Sequence, residues 1–265
     1  MSQHIRQPAV AGMFYPAEPA RLRSMLEEYL QQARTKLDTE QPVPRAIIAP
    51  HAGYVYSGPV AASAYARIQP AHARFKRVLL LGPSHRVAVR GLATSSASHF
   101  LTPFGQIPLD RAAIERLETL PQVTCADQAH AMEHSLEVQL PFLQIVLDEF
   151  VLVPLVVGDA DPHEVDEVIE QFWDDQTLIV ISSDLSHYHD YATAQRLDSA
   201  TSKAIESLQP DAIGYGDACG RNPVNGLLQF AREHGLHATM VDLRNSGDTA
   251  GPRDQVVGYG AYLIQ

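Results

Sequence analysis

Only two cysteines occur in the 265 residues, Cys125 and Cys219, and neither belongs to a CxxC pair. That excludes a disulfide framework and any zinc module built on paired cysteines. Long apolar runs are also missing. The longest, Phe150 to Val157, is interrupted by Pro154 and falls far short of the ~20 residues that a bilayer span requires. The opening segment MSQHIRQPAV has no apolar stretch of the signal-peptide type, so a soluble, cytoplasmic protein in a reducing compartment is expected. Positive charge is scarce: 20 Lys plus Arg stand against 31 Asp plus Glu, for a formal net charge of −11. Such a chain lacks the basic footprint of a nucleic-acid-binding protein and suits anionic membranes poorly. There is no GxxxxGK[ST] phosphate loop, no GxGxxG after a strand and no GxSxG elbow. Small molecules or proteins are the expected partners.

What the chain does have is a core and twelve histidines. At 45% hydrophobic and 19% charged it is a folding sequence, and no repeat, composition break or long linker divides it. One domain over residues 1–265 is expected. Leu22, Met25, Leu26, Tyr29, Leu30, Ala33 and Leu37 recur at helical spacing, and Asp38 to Pro44 reads as a connector. Short apolar runs then end, one after another, in polar turns marked by Gly or Pro. These runs are Ala46 to Ala49, Val78 to Leu81, Val151 to Val157 and Leu178 to Ile181, with a late pair over Thr239 to Leu243 and Gln255 to Ile264. Helical stretches are expected near 58–69, 110–120, 133–149, 162–173, 190–207 and 223–235, with Pro141 kinking or interrupting the third. Runs apolar on both faces suit parallel strands covered by helices. The fold class is therefore α/β, with a mostly parallel or mixed central sheet and helices on both faces.

In open α/β sheets, sites form beyond the carboxyl ends of the strands. His51 in PHAGY, His85 in GPSH, and Asp184 with His187 in SSDLSH all follow expected strands directly. Each has a purely structural account as well, as a loop cap or a helix N-cap. Together they bring metal-competent or proton-transferring groups to one sheet edge. Asp184 and His187, three residues apart, suit a general base or a metal ligand with a carboxylate beside it. In MEHSLEVQLPF, Glu133 and His134 do not make HExxH, so Glu133 is either a supporting carboxylate or part of a helix start. Cys219 and Arg221 precede a helix begun by Pro223. Cys219 is thus a soft metal ligand, a nucleophile or an inert buried thiol, and Arg221 a clamp for an anion. Cys125 and the eight histidines at 4, 72, 99, 130, 163, 189, 234 and 237 lack such company.

The ordered set AGMFYP (Ala11 to Pro16), AIIAPHAGYVYSG (Ala46 to Gly58), LLGPSH (Leu80 to His85), EHSLEVQLPF (Glu133 to Phe142), VPLVVG (Val153 to Gly158), SSDLSH (Ser182 to His187) and CGRNP (Cys219 to Pro223) resembles the Memo family. Its bacterial and archaeal members are called AmmeMemoRadiSam system protein B. The resemblance spans nearly the whole chain. It implies a fold similar to the catalytic subunit of class III non-haem iron extradiol dioxygenases, which bind Fe(II) through two histidines and a carboxylate. It also implies a metal site of two histidines and a cysteine, here His51, His85 and Cys219. Asp184 and His187 match a catalytic pair lining that pocket. Phe14 and Tyr56 are implied aromatic walls, with Glu133, His134 and Arg221 on the substrate side. A thiolate in place of the carboxylate shifts preference toward copper(I), zinc or a more covalent iron site. A radical-SAM protein and an AMMECR-domain protein are implied partners.

Three functions follow from this reading. The first is a metal-dependent redox enzyme holding an iron or copper ion, oxidase- or dioxygenase-like, acting on a small molecule. The second is a non-enzymatic module that uses the same pocket to bind an anionic ligand or peptide. The third takes Cys219 as a nucleophile activated by His187 and predicts its alkylation ahead of Cys125.

Overall fold

Strands without a polar face must be covered on both sides, and this chain buries its apolar runs next to one another. The structure, a computed structural model, describes residues 4–35 and 42–265. Leu37 of the expected first helix and residues 38–41 of the expected connector lie outside the described residues. The strands begin with β1 (Ile5–Arg6), β2 (Ala46–Ala49), β3 (Arg77–Pro83), β4 (Leu92–Thr94), β5 (His99–Thr102) and β6 (Gly105–Pro108). They continue with β7 (Val123–Cys125), β8 (Val151–Val157), β9 (Thr177–Ser182), β10 (His187–His189), β11 (Ala238–Asn245) and β12 (Val256–Ile264). The α-helices are α1 (Pro19–Arg34), α2 (Tyr54–Ile68), α3 (Arg111–Leu117), α4 (Asp127–Ala131), α5 (Leu140–Val146), α6 (Pro162–Glu170), α7 (Tyr191–Glu206) and α8 (Arg221–Glu233).

The parallel centre of the main sheet runs β2-β9-β3-β8. Its register sets Ala49 beside Ser182, Leu81 beside Ile181 and Pro83 beside Val157, so the four carboxyl ends finish together. The order matters for function. β9, late in sequence, lies between β2 and β3, and carries Ser182 to Asp184 to the turns that hold His51 and His85. β12 runs antiparallel to β2 and pairs with β10 and β11, while β4 runs antiparallel to β8 and carries β7. The sheet is therefore mixed and flanked by helices, an α/β fold. A separate three-stranded sheet joins β1, β5 and β6.

The helices obey their apolar spacing. α1 buries Leu22, Leu26, Leu30 and Ala33 on one face. Helix boundaries shift by one to three residues in several places, α8 beginning at Arg221 and not at Pro223, and two differences are larger. α2 starts at Tyr54, four residues before the expected 58, so the PHAGY turn feeds directly into the helix. The expected helix over 133–149 is α-helical only over Leu140–Val146, after a 3-10 turn at Glu137–Gln139. Pro141 sits in the first turn of α5, where its missing N–H costs no hydrogen bond, so it starts the helix instead of kinking one. Among the described residues no helix is long and apolar enough to cross a membrane.

Candidate metal centre

His51 is held by the strand next to its own. Its main-chain N–H donates to Asp184 Oδ1 at 2.7 Å, and its Nδ1 lies 2.8 Å from Ser182 Oγ. The Ser182 hydroxyl donates its hydrogen to Ser135 O at 2.6 Å and accepts from Gln139 Nε2 at 2.8 Å. The orientation of the Gln139 amide is set at its other end, where Oε1 accepts from Tyr65 Oη at 2.8 Å and Nε2 also donates to Pro50 O at 3.0 Å. The only hydrogen on Ser182 is therefore in use, and His51 Nδ1 must be the donor in their contact. That leaves the lone pair of His51 on Nε2.

Glu133 does the same for His85. Its Oε1 accepts from His85 Nδ1 at 2.8 Å and from the His134 and Ser135 main-chain N–H groups at 2.9 Å, while Oε2 takes the His85 N–H at 2.6 Å. Burial alone would raise the Glu133 carboxyl. The hydrogen bonds and charge of His85, with the Ser135 N–H, outweigh it and hold the group at about 2. Glu133 is an acceptor only, so in the neutral form of His85 the proton sits on Nδ1 and the lone pair on Nε2. A buried polar partner on the far nitrogen is the usual support of a metal-binding imidazole.

His134 reaches the same place from an irregular segment ahead of α5. Gly82 lets that segment come close: a Cβ there would sit 2.9 Å from both Ser135 Oγ and Leu136 Cδ2. The His134 ring stacks on His85 with centroids 4.6 Å apart, and Phe14 packs on it at 4.9 Å. Among the described residues its buried Nδ1 has no hydrogen bond, Glu133 Oε1 at 3.4 Å being out of line for one. One ligand atom each from His51, His85 and His134 lie within 4.8 Å of one another. Burial, helped by the neighbouring rings, pushes the His51 imidazole well below its ordinary range and His134 down to about 4. Neutral imidazoles are the form that a metal ion takes. The donor set and its supports fit a transition-metal ion.

Cys219 stands next to this cluster but outside that group of three. Its Sγ is 3.4 Å from His51 Nε2 and accepts the Asp184 N–H at 3.3 Å. Gly220 makes the approach possible, since a Cβ there would meet Ser183 Cβ at 2.6 Å. Burial and then the Asp184 charge push the Cys219 thiol up from its ordinary value. A nucleophile needs the opposite shift; Cys125, the exposed thiol, is also pushed up by burial.

The other sequence-derived residues divide by position. The Asp184 carboxylate, raised by burial, faces the His51 main chain and ties the PHAGY turn to the end of β9. His187 starts β10, and its Nδ1 donates to Leu185 O at 2.8 Å, so a main-chain carbonyl sets its tautomer. Tyr56 lies in α2 and is exposed. Arg221 begins α8, with its guanidinium 3.6 Å from the centre of the Tyr215 ring. Sequence reasoning missed Ser182 and Gln139 as supports, and it put His134 on the substrate side. The available signal was polarity in apolar surroundings: Ser182 closes a hydrophobic strand and Gln139 interrupts a hydrophobic run, and both are fully buried.

Residues 6–263 match the sequence model described as Memo-like protein. A MEMO1 family protein of Archaeoglobus fulgidus is 34% identical over 276 residues, covering 98% of this chain and 100% of that one. A MEMO1 family protein of Aquifex aeolicus is 36% identical over 268 residues, covering 96% of this chain and 97% of that one. The crystal structure of an uncharacterized protein from Escherichia coli K12 superposes with a TM-score of 0.51 at 13% identity, over 82% of this chain and 99% of that chain, a likeness of fold alone. With a match running from Arg6 almost to the end of the last strand and full-length relatives at over 30% identity, the chain belongs to the Memo family.

Proposed function

We propose that this Memo-family chain holds one iron or copper ion on His51, His85 and His134, with Cys219 as a further donor, and oxidises a small molecule bound beside it. One observation carries the reading: one ring nitrogen from each of three imidazoles on separate segments lies within 4.8 Å of the others, and the two rings with partners on Nδ1 have their lone pair on Nε2, that of His51 facing Cys219 Sγ. A bound ion of this kind supplies electron transfer and oxygen chemistry. The chain's own groups have separate tasks. Glu133 and Ser182 hold two of the rings in one tautomer, and Asp184 anchors the turn that carries His51. His187, with Nδ1 committed to Leu185 O, offers Nε2 for a substrate proton. Phe14 covers one side of His134 and limits water there. The Cys219 thiol, held protonated by burial, loses its proton only when a cation comes within reach.

The test is metal analysis of protein made without a histidine tag and loaded anaerobically with Fe(II) or Cu(I). One ion per chain is expected, lost in His51→Ala and in His134→Ala. Absence of bound metal under both loadings would sink the reading. Retention by His134→Ala with loss in Cys219→Ala would return the site to two histidines and a cysteine.

A further inference from the structure

A cleft of about 540 Å3 opens where β3 and β8 end, and Cys219 forms part of its wall. That volume lies within the ~300–1,000 Å3 of small-molecule sites. Cys219 is the link between this cleft and the candidate metal centre: it lines the wall, and its Sγ is 3.4 Å from His51 Nε2. Much of its lining is apolar, with Val87, Val89 and Val157 prominent. Arg221 is the cation that lines it.

The Arg221 side chain is held in place without being neutralised. The guanidinium lies 3.6 Å from the centre of the Tyr215 ring. Its Nε donates to Asn222 Oδ1 at 2.9 Å, and Asn222 Nδ2 donates in turn to Gly158 O at 2.7 Å, just past β8. Among the described residues, Nη1 and Nη2 take no hydrogen bond and no ion pair. The side-on fork is thus occupied and the end-on fork is open. Two parallel N–H groups at that spacing match the two oxygens of a carboxylate. The charge on the ligand is limited by the same wall. Asp159 also lines the cleft, and a dianionic phosphate would meet its carboxylate with a single guanidinium as compensation.

We infer that the cleft binds a small monocarboxylic acid, with the carboxylate on the Arg221 fork and an apolar body along the valine wall toward Cys219. Its place in catalysis rests on the metal-centre reading; its binding does not. The probes are phenylacetate, its neutral isostere phenylacetamide, and phenyl phosphate, titrated by ligand-observed NMR against the full-length protein as purified. Phenylacetate is expected to bind about ten- to a hundredfold more tightly than phenylacetamide, and Arg221→Gln to erase that preference. Tyr215→Leu, at a residue that is 76% exposed and so free of core packing, is expected to reduce the preference without abolishing it. Equal binding of acid and amide, or an unchanged preference in Arg221→Gln, would overturn the inference. Tighter binding of phenyl phosphate than of phenylacetate would overturn the choice of a monoanion. A carboxylate sitting on a metal ion would keep its preference in Arg221→Gln, which separates the two sources of selectivity. If the same wild-type sample takes up no iron or copper, the metal reading fails while an Arg221-dependent preference for the acid still supports the cleft.

Discussion

The two carboxylate oxygens of Glu133 grip different parts of His85: Oε1 takes the ring Nδ1 at 2.8 Å, and Oε2 the main-chain N–H at 2.6 Å. One side chain fixes both the imidazole and the turn that presents it. Glu133→Gln keeps the shape but turns an acceptor into an NH2 group facing N–H donors. Metal affinity is expected to fall about 10- to 100-fold, the usual effect of losing such a partner. Competition against a chromophoric chelator measures it, and an unchanged affinity would remove His85 from the ligand set.

Ser182 plays the corresponding part for His51, through a hydroxyl that has no hydrogen left to give. Ser182→Ala removes the acceptor of His51 Nδ1–H and leaves one Gln139 amide bond unmade. The unsatisfied buried donors are expected to cost about 1–3 kcal/mol in a denaturant titration. The His51 ring nitrogens should move, in 15N NMR, from a fixed Nδ1–H pattern to a mixture of tautomers. Ser182→Thr should restore the pattern. A His51 spectrum that does not respond to Ser182→Ala would mean that the Gln139–Ser182 chain does not set the tautomer.

The strand ends that carry this site were legible because an apolar run that stops at a turn is a local signal. Ala46 to Ala49 before His51, and Val78 to Leu81 before His85, needed no knowledge of the rest of the fold. His134 was harder to read. It follows no strand, and it joins the cluster only because Gly82 lets an irregular segment pack closely. Ser182 acts on His51, 131 residues away, and Gln139 acts on Ser182, 43 residues away, contacts that depend on β9 lying between β2 and β3. The small strands β1, β4, β5, β6 and β7 span two to four residues each, too short for a period of two to stand out.

Glu137 shows how far such remote contacts reach. Fully buried, it pairs with Arg6 Nη1 and accepts from Ala9 N–H at 2.7 Å, Val10 N–H at 2.9 Å and Tyr15 Oη at 2.6 Å. Those residues flank Phe14, whose main-chain oxygen receives the Tyr54 N–H at 2.8 Å and whose ring packs on His134. Glu137→Ala leaves the Arg6 guanidinium buried and uncompensated, and should destabilise the fold by about 3–5 kcal/mol. Adding Arg6→Met should not restore stability, because the donors of Ala9, Val10 and Tyr15 still lack an acceptor. Full recovery in the double variant would reduce the role of Glu137 to a simple ion pair.

His130 makes acid stability a measurable consequence of burial. Only 2% exposed, it donates Nε2–H to Ala93 O at 2.9 Å, while its buried Nδ1 has no hydrogen bond among the described residues. A second proton would place a charge in the core, and burial, which outweighs the help of the Ala93 and Thr94 backbone and the Asp127 charge, pushes the imidazole down to about 4. The sign follows. Between its ordinary value of 6.5 and about 4, the unfolded chain binds a proton at His130 that the folded chain refuses, so stability falls as pH falls through that window. Below about 4 both states are protonated and the loss levels off, at an order of about 3 kcal/mol for this residue. His130→Gln keeps an N–H for Ala93 O and cannot titrate. Denaturant midpoints at pH 7.5, 5.5 and 4.5 should therefore drop less steeply in the variant than in the wild type. Parallel curves would show that His130 is not what links acid to unfolding.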